Sequence, residues 1–274
     1  MSKRPSVSDF YGQKKKFKSP AVETKPHSGT LWADDEISLN VSDLPSDTES
    51  AFLYLRSRFL EKCRECHLPI VVLVHQLYSI VKCRTTVDKD LRVLQAKGII
   101  RLFKLGGEES VLVVIKTDDL HDLVKERCPS KPVLDRFLKV VLPATLDVCI
   151  DKSTLTGKFC LTENDISDLM SGGLLTLRSV SSFWFSFPSS GEFVRTYFRG
   201  RKNVLRTIRK SKYSEILQQE LEQRKMDKTV KLGMLFYIHD IIGAELVQCT
   251  DTTSGPLLRL KKMEKKTKNN LITK

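Results

Sequence analysis

Catalytic signatures are missing from this chain of 274 residues. It has no phosphate-binding Walker loop, no nucleophile elbow and no metalloprotease helix. Val113-Val114-Ile115-Lys116 resembles the strand that carries a kinase lysine, but no G-x-G-x-x-G loop precedes it, and neither H-R-D nor D-F-G follows. Asp9-Phe10-Tyr11-Gly12 is one insertion away from D-F-G and stands at the wrong end of the chain. Cys63-Arg64-Glu65-Cys66-His67 matches the covalent haem pattern literally, and the same cysteines could begin a zinc site with His67, His75 or Cys83. Haem attachment needs an export route, and zinc needs a second ligand pair that is not there, so the cysteines read as structural or incidental. No enzyme, no cofactor and no metal are expected. No apolar run of about 20 residues offers a membrane span, and Met1-Ser2-Lys3-Arg4-Pro5 leads into no apolar signal core. Seven cysteines without framework spacing fit a reducing compartment. The expectation is an intracellular protein without a membrane partner.

Acidic residues are also scarce: 33 Asp and Glu face 46 Lys and Arg, a net charge of +13. Such a surplus points to a polyanionic partner. It is densest in Arg195, Arg199, Arg201, Lys202, Arg206, Arg209, Lys210 and Lys212, a stretch with no carboxylate, in which Tyr197, Phe198 and Tyr213 interleave. Like charges three or four residues apart on a helix repel, whereas phosphates would balance them and release counterions on binding. Arginine's planar fork suits phosphate oxygens. Arg195, Arg199, Arg201, Lys202, Arg209, Lys210 and Lys212, with Arg224 beyond them, are the candidate DNA-binding residues. The competing readings are a serine/threonine protein kinase of atypical type and a purely protein-binding winged-helix adaptor with a basic face.

What is abundant is a repeated pattern. An amphipathic helix runs into glycine, then an apolar strand, a polar turn and a second apolar strand. The copies are Thr85–Ala96 with Gly98 and the hairpin Ile99–Ile115, Thr162–Ser171 with Gly172-Gly173 and the hairpin Leu174–Phe187, and Gly233–Ile242 with Gly243 and the hairpin Leu246–Leu260. Glycine at the helix C′ position reaches the left-handed region without steric cost. Helix then two-stranded wing is the back half of a winged helix.

The fold class expected is α+β, mainly α: three tandem winged-helix domains behind a disordered basic N-terminal tail. The divisions are 1–48 (tail), 49–128, 129–198, 199–260 and a lysine-rich tail at 261–274. Periodicity predicts helices over Ser50–Lys62, over Leu68–Val81 with Pro69 in its first turn, over Thr117–Arg127 and over Lys131–Leu142. Thr85 or Thr86 is expected to cap Val87–Ala96, and Thr162 with Asp165 forms a capping box. Phe193–Lys212 and Tyr213–Lys225 are expected as two helices punctuated by Gly200, and Phe183-Trp184-Phe185-Ser186-Phe187 as a core-forming strand. In the tail, Lys14, Lys15, Lys16 and Lys18 form a nuclear-import cluster. The acidic stretch after it encloses Leu31-Trp32, a docking-type pattern with no partner legible in the residues.

From about Ile70 to Leu260 the chain resembles the vertebrate serine/threonine-protein kinase 19 family, whose members lack kinase motifs. The residues that carry the resemblance are Arg84-Thr85-Thr86-Val87-Asp88, Phe137 through Ala144, Gly200-Arg201, Arg209 through Tyr213, His239 through Ala244 and Thr252-Thr253-Ser254-Gly255. The resemblance implies three tandem winged helices in a nuclear, chromatin-associated protein that binds double-stranded DNA and RNA without kinase activity. It implies a part in transcription-coupled nucleotide excision repair, bridging stalled RNA polymerase II, the Cockayne-syndrome ubiquitin-ligase receptor and TFIIH. It places the family's DNA contacts on Arg195, Arg209 and Arg224; Arg195 stands where a relative has lysine, which keeps charge but not fork geometry. A homodimer through winged-helix surfaces is left open.

Overall fold

Ser46 begins the described chain as a helix N-cap, its hydroxyl accepting the Glu49 N–H at 3.2 Å. The computed structural model describes residues 46–106, 111–129, 131–225 and 229–261. The lysine cluster at 14–18, the Trp32 segment, most of the first hairpin turn and positions 262–274 lie outside the described residues.

One element order occurs three times. The first unit is α1 (Asp47–Glu65), β1 (Val72–Leu73), α2 (Val74–Tyr78), α3 (Arg84–Ala96), β2 (Ile100–Leu105) and β3 (Val111–Lys116). After a bridging helix α4 (Thr117–Arg127), the second is α5 (Pro132–Arg136, continued by a π-helical turn Phe137–Val141), β4 (Cys149–Asp151), α6 (Lys152–Gly157), α7 (Glu163–Ser171), β5 (Leu175–Ser179) and β6 (Ser182–Phe185). The third is α8 (Ser190–Lys210), β7 (Glu215–Leu217), α9 (Gln218–Gln223), α10 (Met234–Gly243), β8 (Val247–Thr252) and β9 (Gly255–Leu260). Each unit closes an antiparallel sheet with its last strand in the centre, in the orders β1-β3-β2, β4-β6-β5 and β7-β9-β8. The registers include Leu73 with Val113, Ile150 with Phe183 and Ile216 with Leu258.

The joint between the third helix and the hairpin is built identically each time. Gly98, Gly173 and Glu245 follow α3, α7 and α10 in the left-handed region, with φ of 74°, 73° and 56°. The next residue's N–H reaches back to the helix in each case: Ile99 to Leu94 (3.0 Å), Leu174 to Leu169 (2.9 Å) and Leu246 to Ile241 (3.0 Å). These are Schellman closures, which satisfy carbonyls the helix leaves open. In the third copy the expected glycine has another duty. A Cβ on Gly243, still inside α10, would lie 1.7 Å from the His75 carbonyl oxygen, so its absence lets α2 and α10 touch backbone to backbone.

Several expected elements differ. Leu68–Val81 is not one helix but a two-residue strand and a five-residue helix, and Pro69 precedes both. Cys83, not Thr85 or Thr86, holds the N-cap position of α3. Gly200 does not punctuate a helix: α8 runs through it, and a Cβ there would lie 2.0 Å from the Tyr237 hydroxyl. Tyr213–Lys225 is a 3-10 turn, a strand and the short helix α9. The boundary expected between 198 and 199 cuts α8, which packs as the first helix of the third unit. The Thr162–Asp165 capping box is present, with N–H to carboxylate at 2.9 Å and hydroxyl from N–H at 3.2 Å.

The units share one apolar core. Phe59 of α1 meets Phe236 of α10 at 4.9 Å, and Phe236 meets Phe193 of α8 at 6.3 Å. Phe103 of β2 meets Phe187 at 5.4 Å, joining the first two units. Arg101 is buried at that seam with its guanidinium 5.8 Å from the Phe185 ring, and burial lowers its pKa to about 10. Fully burying such side chains stabilises by roughly 1.5–3 kcal/mol each, so the inter-unit contacts hold the three units as one body.

Candidate nucleic-acid interface

The 21 residues of α8 are amphipathic in an unusual sense: one face is apolar and the opposite face purely cationic. Phe193, Tyr197, Val204 and Ile208 are buried against the third unit and α10. Arg195, Arg199, Lys202, Arg206 and Arg209 are exposed. Their spacing of i, i+4, i+7, i+11 and i+14, at about 100° per residue, puts all five within a strip roughly 80° wide and about 21 Å long. Among the described residues, none of the five forms an ion pair. Glu192 in the first turn and Arg209 with Lys210 in the last complement the helix dipole. A straight row of unpaired guanidinium and ammonium groups on a rigid helix is chemistry for tracking a phosphate backbone.

The eight expected DNA-binding residues therefore divide. Arg195, Arg199, Lys202 and Arg209 share the strip, and Arg206 completes it. Lys210 is exposed beside its end, and Lys212 lies in the following turn with its ammonium 5.1 Å from the Tyr213 ring. Arg224 is exposed on a different element, at the C-cap of α9.

Arg201 is a correction. It lies about 120° round the helix from Arg195 and is only 5% exposed. Its Nε donates to one Asp240 oxygen at 2.8 Å and its Nη2 to the other at 2.7 Å. His75 Nε2 lies 2.6 Å from Asp240, and the Tyr197 hydroxyl donates to it at 3.0 Å. Burial alone would push the fully buried Asp240 carboxyl up, but the hydrogen bonds and charges of Arg201 and His75 outweigh it and hold the carboxyl below the usual carboxylate range. Arg201 is thus an internal clamp joining α8, α10 and α2, not a phosphate contact. The interleaved aromatics divide in the same way: Tyr197 is buried, Phe198 half-buried and Tyr213 exposed.

A second cation–aromatic cluster was not legible in the sequence. Phe183, Phe185 and Phe187 enter the core as expected of that strand, but Trp184 faces outward, half-buried. Lys104 of β2 lies 4.6 Å and Arg178 of β5 4.5 Å from its ring centroid. Lys104 and Trp184 are far apart in sequence and meet only because β2 and β6 are adjacent.

The sequence's other chemical motifs have structural roles. Val113, Val114 and Ile115 are buried in the central strand β3, and Lys116 pairs with Asp118 at 2.7 Å. Cys63 is buried, its thiol pushed up to about 12 by that burial, which keeps it protonated and a poor metal ligand. Cys66 Sγ donates to the Lys231 carbonyl at 3.5 Å. Among the described residues no His, Cys, Asp and Glu are grouped to hold a metal, and no helix is long and apolar enough to cross a membrane.

Comparison with known proteins places this architecture. The profile of the family described as "Inactive serine-threonine protein kinase 19" matches residues 42–260. The chain is 35% identical over 257 residues to the human "Winged helix repair factor 1", covering 93% of this chain and 96% of that protein. It is 35% identical over 255 residues to the Xenopus laevis protein of the same name, covering 90% and 98%. The Dictyostelium discoideum protein of that name is 27% identical over 214 residues, covering 63% and 54%. The family's description as inactive agrees with the missing kinase loops, and the chain is not an enzyme. A core-bearing match through β9 and near-complete overlap with two vertebrate proteins leave one assignment: the chain belongs to the inactive serine-threonine protein kinase 19 family.

Proposed function

We propose that this chain is a non-enzymatic scaffold of three tandem winged helices that grips double-stranded DNA, and RNA, along α8. The observation that carries this reading is the strip of five exposed cations on one face of a rigid helix with no carboxylate partner among the described residues. The recurrence of helix, strand, helix, helix and hairpin, with the last strand central each time, supports the winged-helix reading. The name shared by the human and frog relatives, a winged helix repair factor, supports a role in repair, which for a DNA-gripping scaffold is repair of DNA. The proposal extends to transcription-coupled nucleotide excision repair in the nucleus, on chromatin, with the Lys14–Lys18 cluster as import signal. The partners proposed are stalled RNA polymerase II, the Cockayne-syndrome ubiquitin-ligase receptor and TFIIH.

The test is charge reversal at Arg195, Arg209 and Arg224 in the full chain, read by retention of a labelled duplex. Retention should be abolished while the thermal melt stays in place, because all three side chains are exposed. Unchanged affinity at low salt would defeat the assignment and favour a purely protein-binding adaptor.

A further inference from the structure

Tyr213 is the one aromatic of the basic segment that the fold leaves in the open, at 78% exposed. It is also held in a costly conformation. Its φ of 58° and ψ of 14° lie in the left-handed region, and Ser214 follows with a φ of 56°. A turn closed by the Ser214 N–H to the Ser211 carbonyl at 2.9 Å puts Tyr213 in its third place, where glycine or asparagine is the unstrained occupant. The strain is not repaid by burial of the ring. Backbone outliers that packing does not explain point to a task at the surface.

The position supplies the task. Tyr213 comes three and four residues after Lys210 and Arg209, directly at the end of the α8 strip, with the Lys212 ammonium 5.1 Å from its ring. Beside it is a cleft of about 650 Å³ that Tyr213 lines together with Gln248, Lys261 and Arg259, whose guanidinium is paired at 2.6 Å with Glu215 of the same cleft. An aromatic face, cations and a side-chain amide around a cleft are a stacking platform for a base. Inside a continuous duplex the bases are already stacked and offer no face to such a ring.

Resting on the reading of α8 as a phosphate track, we propose that Tyr213 is a base-stacking specificity residue. The chain then binds duplex that carries an unpaired nucleotide in preference to uninterrupted duplex. The strip holds the backbone of the paired part, and the ring caps the base that leaves the stack.

Fluorescence anisotropy with the full chain tests this on two labelled DNAs: a duplex whose two ends are each closed by a non-nucleotide ethylene-glycol linker, so that every base is paired, and the same duplex with a short unpaired bulge. Stacking on one base corresponds to a preference of about 5- to 150-fold for the bulged form. Tyr213→Ala should remove that preference and leave affinity for the closed duplex unchanged, while Tyr213→Phe retains it. Equal affinity of the parent chain for both DNAs would overturn the proposal. So would an equal loss on both in Tyr213→Ala, or failure of the phenylalanine variant to keep the preference. The double variant Arg206→Gln, Arg209→Gln separates the two ideas: it should weaken both DNAs alike. If it weakens neither, the α8 track itself fails, and this inference with it.

Discussion

Arg201 and Lys202 are adjacent in sequence, carry the same charge and should give opposite phenotypes. Arg201→Gln leaves the Asp240 carboxylate buried at 0% exposure with, among the described residues, His75 and Tyr197 as its remaining side-chain partners. Removing one partner of a buried ion pair costs about 3–5 kcal/mol. For a body of this size each kcal/mol shifts Tm by about 2–4 °C, so the loss should be roughly 6–20 °C. Lys202 is exposed and unpaired among the described residues, so Lys202→Gln should stay within about 0.5 kcal/mol of the parent. DNA binding should separate the other way. If all five cations of the strip neutralise phosphates, log K falls with log salt at a slope of about −4.5, a loss of roughly 500-fold between 50 and 200 mM salt. Lys202→Gln should reduce the slope by about 0.9, whereas Arg201→Gln, measured well below its melting temperature, should not alter it. Replacing the pair together, Arg201→Met with Asp240→Leu, should recover most of the stability, because a buried pair is often no better than apolar side chains of similar volume. Melts in a calorimeter and affinities over a salt series check both halves. A stable Arg201→Gln protein with a shallower salt slope would refute the division of α8 into a clamp face and a phosphate face.

Two further outcomes follow from packing and titration. Gly243→Ala forces a Cβ onto the His75 backbone carbonyl, which cannot step aside as the tip of a side chain could; denaturant melts should show a loss of about 3 kcal/mol or more. Gly98→Ala meets no neighbour within 4 Å and suffers only its φ of 74°, a loss of about 1–2 kcal/mol; the reverse ranking would mean that α2 and α10 do not touch as described. Acid should destabilise in two stages. Burial lowers the pKa of His239, whose Nδ1 lies 2.7 Å from the Ser79 hydroxyl, so the unfolded chain takes up that proton first. Its contribution is full above about pH 6.5 and lost as pH falls from there through the folded value. Asp240, held below the carboxylate range, contributes above about pH 4, and that contribution is lost as pH falls further. His239→Gln should remove the first stage only, and a parent Tm that is flat between about pH 7 and 5 would count against it.

The long periodic helices were legible because enough residues fell on one face to reveal a period: Thr117–Arg127 is α4 as read, and Thr162 caps α7 with Asp165. The first strand of each sheet was not legible. At two or three residues, β1, β4 and β7 are too short to show alternation, and each is defined only by pairing with a strand far along the chain. The same limit hid α9 inside an expected longer helix. The burial of Arg201 escapes the sequence for a different reason. A run of cations says nothing about which one faces inward until the partner is known, and Asp240 lies 39 residues away. A glycine after an amphipathic run reads as a helix stop because that is its commonest role, yet Gly200 and Gly243 are there for close approach, and Glu245 takes the left-handed place in the third copy.

Charge alone also overstated how much α8 depends on a ligand. Along the strip, like charges meet at 195–199, 199–202, 202–206 and 206–209, and each such pair costs roughly 0.2–0.5 kcal/mol, so the repulsion is of order 1–2 kcal/mol. On the opposite face Phe193, Tyr197, Val204 and Ile208 are buried, and each stabilises by roughly 1.5–3 kcal/mol. Packing wins by several-fold, and the Arg201–Asp240 clamp fixes the rotation of the helix about its axis. The cations are therefore held in line before any phosphate arrives, and ordering them does not have to be taken out of the binding energy. On the proposed reading, that makes α8 a preformed track rather than a segment that folds on its ligand. The protein without nucleic acid should accordingly melt cooperatively, with Tm rising slightly as salt screens the strip; a helix that gains its protection from hydrogen exchange only when DNA is added would contradict this account.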